Sequence, residues 1–181
     1  MVKTPIRSVR RVHALDDPQI EQLAYVLRDC VDGGASVSFM HPLTHERAVA
    51  FWRGVANSVA AGERAILVAA DELGICGTVH LVLDQPENQP HRAELSKMLV
   101  HRRARCQGVG AALLQAAEVT ARECGKSLLV LDTASDDAER LYQRQGWTRV
   151  GAIPGFAFLP QGGLCATTLY YRELGVSPAH S

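Results

Sequence analysis

Ala93-Glu94-Leu95-Ser96-Lys97-Met98-Leu99-Val100 ends apolar, His101-Arg102-Arg103-Ala104 breaks the pattern, and Arg105-Cys106-Gln107-Gly108-Val109-Gly110-Ala111-Ala112-Leu113-Leu114 opens a helical one. This is a strand, a turn dense in basic and glycine residues, and the head of a helix. The first N–H groups of a helix lack intrahelical partners and, with the helix dipole, favour negative charge. Gly108 and Gly110 carry no Cβ, so a ligand can approach the backbone closely. Arg105 adds a fixed charge and a forked donor. The turn therefore reads either as an anion cradle suited to a pyrophosphate or as a helix that merely starts after a glycine-containing loop.

A dinucleotide loop would read G-x-G-x-x-G and a nucleoside-triphosphate loop would carry G-K-[ST]; neither pattern is present. Arg105-Cys106-Gln107-Gly108-Val109-Gly110 resembles the R/Q-x-x-G-x-G/A signature of the GNAT N-acetyltransferase superfamily. The resemblance extends upstream through the strand Ala93 to Val100. Downstream, Leu141-Tyr142-Gln143-Arg144-Gln145-Gly146-Trp147 is similar to the family's L-Y-x-x-x-G-F. It implies a single α/β domain, a mixed and mostly antiparallel sheet of about seven strands flanked by about four helices. It also implies acetyl-CoA as co-substrate and no metal.

Carried over residue by residue, the resemblance assigns the pyrophosphate to Arg105, Cys106, Gln107, Gly108, Val109, Gly110 and Ala111. Backbone of Met98, Leu99 and Val100, where the family's strand splays from its neighbour, would take the pantetheine arm and thioester carbonyl. Ser135 falls where many relatives carry an asparagine that contacts CoA. Tyr142 matches the family tyrosine that touches CoA and protonates its leaving thiolate; by spacing alone it could equally be a core aromatic. Gly33-Gly34-Ala35-Ser36-Val37-Ser38-Phe39-Met40 resembles the matching segment of the tabtoxin-resistance acetyltransferases, a branch acting on a small amino-acid-like antibiotic. The Glu94 strand and Gly151-Ala152-Ile153-Pro154-Gly155 share that likeness. Ser36, Phe39, Met40 and Asp132 are accordingly the expected acceptor-binding residues. Read only as residues, the segment is also consistent with a helix-helix linker whose Val37, Phe39 and Met40 plug the core.

An ammonium with a pKa near ~10 must lose a proton before it attacks a thioester, so a carboxylate or histidine on the acceptor side, acting directly or through water, would help. Glu94 is the leading candidate, because a GNAT glutamate at matching spacing acts as general base; the plain alternative is a surface glutamate paired with Arg92 or Lys97. Asp132 is a second candidate base, or a cap for the following helix. His80 and His91 rank lower.

Asp16-Asp17-Pro18 ends a first strand over Ile6 to Leu15 and starts a helix that Gly33-Gly34 stops. Thr44 caps a second helix running to about Ala61. Arg64 to Ala70 and Ile75 to Leu83 form a hairpin. The central strand and the helix from Gly108 to Cys124 come next. Leu128 to Asp132, a strand apolar on both faces, should lie parallel to the strand that ends at Val100. A helix from Asp136 to Gln145 and a hairpin of Trp147 to Phe158 with Ala166 to Arg172 complete the domain, residues 1–175, with 176–181 as a tail.

Apolar residues make up 47% and charged residues 21%, an ordinary globular mixture. Lys+Arg and Asp+Glu both number 19, so net charge argues for neither nucleic acid nor an anionic membrane. The phosphates of CoA account for the cationic run His101 to Arg105, which has no interleaved aromatics for base stacking. Five scattered cysteines without C-x-x-C or zinc spacing suggest a reduced, cytoplasmic chain with no metal. No signal-peptide pattern or membrane-length apolar run occurs. Homodimers are common in the family, and no stretch marks an interface. The expected activity is acetylation of a primary amine on a small metabolite or antibiotic. The alternatives are acetylation of a protein N-terminus or lysine, and a non-catalytic acyl-CoA sensor.

Overall fold

A computed structural model describes residues 8–175. Ile6 and Arg7 of the expected first strand, and the 176–181 tail, lie outside the described residues. β1 (Ser8–Val12) leads into α1 (Asp17–Asp32). The Asp16 carboxylate accepts from the Gln19 amide and the Gln19 side chain accepts from the Asp16 amide, a reciprocal capping box with Pro18 in the first turn. Thr44 caps α2 (His45–Ala60). β2 (Arg64–Asp71) and β3 (Gly74–Val82) form the expected hairpin; β4 (Arg92–Val100), a 3-10 turn at Arg102–Ala104, and α3 (Val109–Glu123) succeed it. Then come β5 (Leu128–Thr133), α4 (Asp136–Arg144), β6 (Thr148–Phe158) and β7 (Leu164–Glu173).

The seven strands form one sheet in the order β1-β2-β3-β4-β5-β7-β6, antiparallel except at β4 and β5. Each face is covered by an apolar layer. On one, α3 inserts Val109, Leu113, Leu114, Ala117 and Ala121 beside Tyr142 and Trp147. On the other, α1 and α2 bury Leu23, Leu27, Trp52 and Val55.

Two irregularities in β4 open the middle of the sheet. Its ladder with β5 contains only three partner pairs, Arg92 with Leu128, Ala93 with Leu129 and Glu94 with Val130, after which the strands part. Its register with β3 also slips: Leu99 faces Thr78 and Ser96 faces His80, so Val79 alone opposes both Lys97 and Met98. Lys97 sits at φ 50°, left-handed for a non-glycine residue. The bulge reverses the strand's alternation, so that Leu95 and Met98 both pack on the α3 layer while Leu99 packs on the α1–α2 layer.

Candidate active site

The turn after β4 has a backbone geometry suited to an anion. Cys106 (φ 58°) and Gly108 (φ 82°) are both left-handed, and Gly108 carries open space where a side chain would sit. Among the described residues, none of the backbone amides from Cys106 to Ala111 finds an acceptor. The first that does is Ala112, on the Gly108 carbonyl at 3.0 Å. Six adjacent donors at the head of α3, in a positive field, fit a pyrophosphate. Gly110 serves packing instead: a Cβ there would lie 2.9 Å from Cδ2 of Leu141, so its absence lets α3 and α4 approach.

The cationic run is less available than its sequence suggests. Arg102 bonds Asp29 through its backbone N–H and its Nε, both at 2.8 Å. Arg103 pairs with Asp71 at 3.0 Å and also donates to the Ile75 carbonyl. These two arginines anchor the turn to α1 and to the β2–β3 hairpin, which corrects their attribution to CoA phosphates. Burial pushes both aspartates up, yet the arginine hydrogen bonds and charges hold each below the usual carboxylate range. Arg105 turns its Nε back to the Val100 carbonyl at 3.1 Å. Gln107 spends its side-chain amide on the Arg103 carbonyl, and the Cys106 thiol is exposed.

Met98, Leu99 and Val100 occupy the part of β4 that β5 leaves unpaired. At the start of the gap stand two exposed carboxylates, Glu94 on β4 and Asp132 on β5. A cleft of about 270 Å³ lies beside them, lined also by Val130, Val150, Leu169 and Tyr171. Asp132 accepts a hydrogen bond from the Thr167 hydroxyl at 2.6 Å. It does not cap α4; Ser135 does, accepting from the Ala138 amide at 3.4 Å. A larger groove of about 550 Å³, between α1 and α2 around Glu21, His45 and Arg53, holds none of the expected site residues.

Tyr142 is buried on α4, its ring 5.7 Å from Trp147 and 5.8 Å from Tyr170. Tyr170 is itself fixed by Glu139 at 2.7 Å and Gln143 at 3.1 Å. No described residue hydrogen-bonds the Tyr142 hydroxyl. Burial, reinforced by the negative charge of Asp132, pushes its pKa upward, so the phenol keeps its proton.

The remaining acceptor candidates divide. The loop between α1 and α2 is held at several points: the His41 amide donates to the Pro160 carbonyl at 2.9 Å, and Ser36 reaches the Phe158 carbonyl at 3.5 Å. Val37 and Phe39 pack against the core, Phe39 edge-on to Phe51 at 5.2 Å, whereas Met40 is exposed. His91 is exposed in a loop. His80 is fully buried beside Trp52, and burial depresses its pKa to about 3, so it cannot exchange protons with an acceptor near neutrality. Along the chain, Lys97 reads only as a partner for Glu94. Its ammonium instead donates to the Ser38 hydroxyl at 3.0 Å. The signal for this, a bulge opposite Val79, exists only once β3 and β4 are paired.

The acetyltransferase (GNAT) family model matches residues 26–147, two thirds of the chain, and the chain belongs to that family. Solved structures share the fold at low identity. An N-acetyltransferase from Staphylococcus aureus Mu50 superposes with a TM-score of 0.76 at 16% identity, over 93% of this chain and 99% of that one. A ribosomal-protein-alanine N-acetyltransferase from Brucella melitensis gives 0.76 at 21%, over 92% and 99%. A phosphinothricin acetyltransferase from Sinorhizobium meliloti, in complex with acetyl-CoA, gives 0.76 at 19%, over 96% and 91%. Among the described residues no group of three or more His, Cys, Asp or Glu side chains is placed to hold a metal, and no helix is long and apolar enough to cross a membrane.

Proposed function

We propose that this acetyltransferase carries the acetyl group of acetyl-CoA to a primary amine on a small, amino-acid-like molecule, by direct attack in a ternary complex. The observation that carries the reading is the row of six unpartnered amides from Cys106 to Ala111, placed just beyond the point where β4 leaves β5. Bound there, acetyl-CoA supplies a thioester, an acyl group already activated toward amines. The amides would grip its pyrophosphate, and Arg105 has guanidinium donors beyond the Nε that the Val100 carbonyl uses. Met98 to Val100 would offer backbone to the pantetheine arm.

Glu94 takes a proton from the incoming ammonium, directly or through water. Asp132, oriented by Thr167, holds the amine in line or shares the proton. Tyr142 returns a proton to the departing sulfur; its hydroxyl keeps its proton and is engaged by no described residue, so it is free to donate. Ser135 stands by the CoA path as a helix cap.

The pinned loop with Ser36, Phe39 and Met40 favours a small acceptor over an extended peptide, which would need an open groove at that place. It agrees with the likeness to the tabtoxin-resistance branch and with an antibiotic or amino-acid-like acceptor. The test is calorimetry with CoA followed by an acetyl-CoA assay across an amine panel. Binding with turnover of small amines supports the proposal; binding without any product points to a sensor; no heat with CoA removes it.

A further inference from the structure

On β4, Lys97 is a cation that forms no ion pair among the described residues. Lys97 leaves β4 at the bulge, left-handed at φ 50°, and its Nζ reaches Ser38, itself left-handed at φ 74°. A lysine ammonium has three N–H donors, and Ser38 uses one. Among the described residues no carboxylate comes within ion-pairing distance of Nζ, although Glu94 and Asp132 are near enough to act on its charge. Burial, and after it Arg64, work against the charged form. A half-buried ammonium with spare donors and no directly bonded anion is incompletely satisfied, and an incoming anion would complete it.

We propose that Lys97 is a specificity-determining residue that receives the carboxylate of the acceptor while Glu94 and Asp132 receive its ammonium. This deepens the amine-acetylation reading above and rests on it. The site then has two negative groups and one positive group arranged to match a zwitterion, and Ser38 fixes the lysine's direction. An amine without the carboxylate would leave Lys97 unmatched in the closed complex, and that mismatch is the source of discrimination.

The experiment compares matched acceptors, an amino acid and the amine made by removing its carboxylate, in wild type, Lys97→Met and Lys97→Arg. Wild type should favour the carboxylate-bearing acceptor in kcat/KM by about 10- to 100-fold. Lys97→Met should bring the ratio close to one, with the loss falling on KM for the amino acid, and Lys97→Arg should retain part of the preference. The inference is overturned if wild type shows no preference, if Lys97→Met keeps it, or if Lys97→Met slows both acceptors in parallel through kcat. If wild type acetylates no amine at all while binding CoA, the amine-acetylation reading falls and takes this inference with it.

Discussion

The indole N–H of Trp147 donates to Oε1 of Glu118 at 3.2 Å, with both residues buried between α3 and the start of β6. Arg172 and Arg122 approach the same carboxylate at 3.7 and 3.8 Å, so Glu118 is a buried charge satisfied from several sides. Trp147→Phe keeps an aromatic ring in place and removes one donor. It should destabilise the fold by about 1–3 kcal/mol, the usual penalty for withdrawing a partner from a buried charged group. A urea midpoint equal to that of wild type would refute this.

His80 should make stability fall with acid well above the carboxylate range. Its folded pKa is depressed to about 3 by burial, with smaller contributions from Arg64 and Lys97, and among the described residues neither ring nitrogen has a hydrogen-bond partner. The unfolded chain binds a proton near pH 6.5 that the native state refuses. Stability is therefore complete above that pH and declines by roughly 1.4 kcal/mol per unit as pH falls below it. Denaturant titrations at pH 7 and pH 5 should show the decline in wild type and a much flatter response in His80→Leu.

Asp29 and Asp71 act at lower pH. Both have depressed folded pKa values, so their contribution is present above the unfolded value near ~4 and is lost as pH falls through the folded one. Asp29→Asn should flatten the thermal-melting profile between pH 4.5 and 3 and, because Asp29 also favours protonated His101 3.6 Å away, steepen it slightly between pH 7 and 5. Equal flattening across both windows would contradict the assignment.

Glu94→Gln should lower kcat/KM near neutral pH by about 10²- to 10³-fold. Raising the pH should recover much of that loss, because the acceptor increasingly arrives as free amine as pH nears ~10. A deficit that stays constant from pH 7 to pH 10 would mean that Glu94 positions the acceptor without taking its proton.

Tyr142→Phe retains the packing with Trp147 and Tyr170 but removes the hydroxyl. A kcat reduction of about 10²-fold, with CoA affinity and melting temperature near those of wild type, is the expected signature of a lost proton donor. Unchanged turnover would leave Tyr142 a purely structural aromatic.

Much of this arrangement was legible before folding. The turn and helix head from Arg105 to Ala111, the hairpins, the helix start at Asp16 and the cap at Thr44 are written in local residue chemistry and appear as expected, whereas α4 is capped by Ser135 and not by Asp132. Less visible was everything that depends on distant partners. The arginines at 102 and 103 look like phosphate ligands until Asp29 and Asp71 are brought alongside them. His80 looks like a candidate base until α2 closes over it with Trp52. The parallel pairing of β4 and β5 was foreseeable from the residues and the splay beyond it from the family resemblance, but only the paired ladder shows that the strands part directly after Glu94. Lys97 was hidden for the same reason: a one-residue slip against β3 reverses which way a side chain points, and no local pattern encodes it.

The Pro160 carbonyl that receives the His41 amide belongs to the turn joining the last two strands, whereas the unpartnered amides lie in the separate run from Cys106 to Ala111. The loop after α1 and the amide row thus hang on different portions of one chain. Exchanging the turn at 159–163 for one of another length would shift the loop that His41 ties to it while leaving the amide row as it is, so under the proposed function that turn is the handle for changing the acceptor without touching the cofactor.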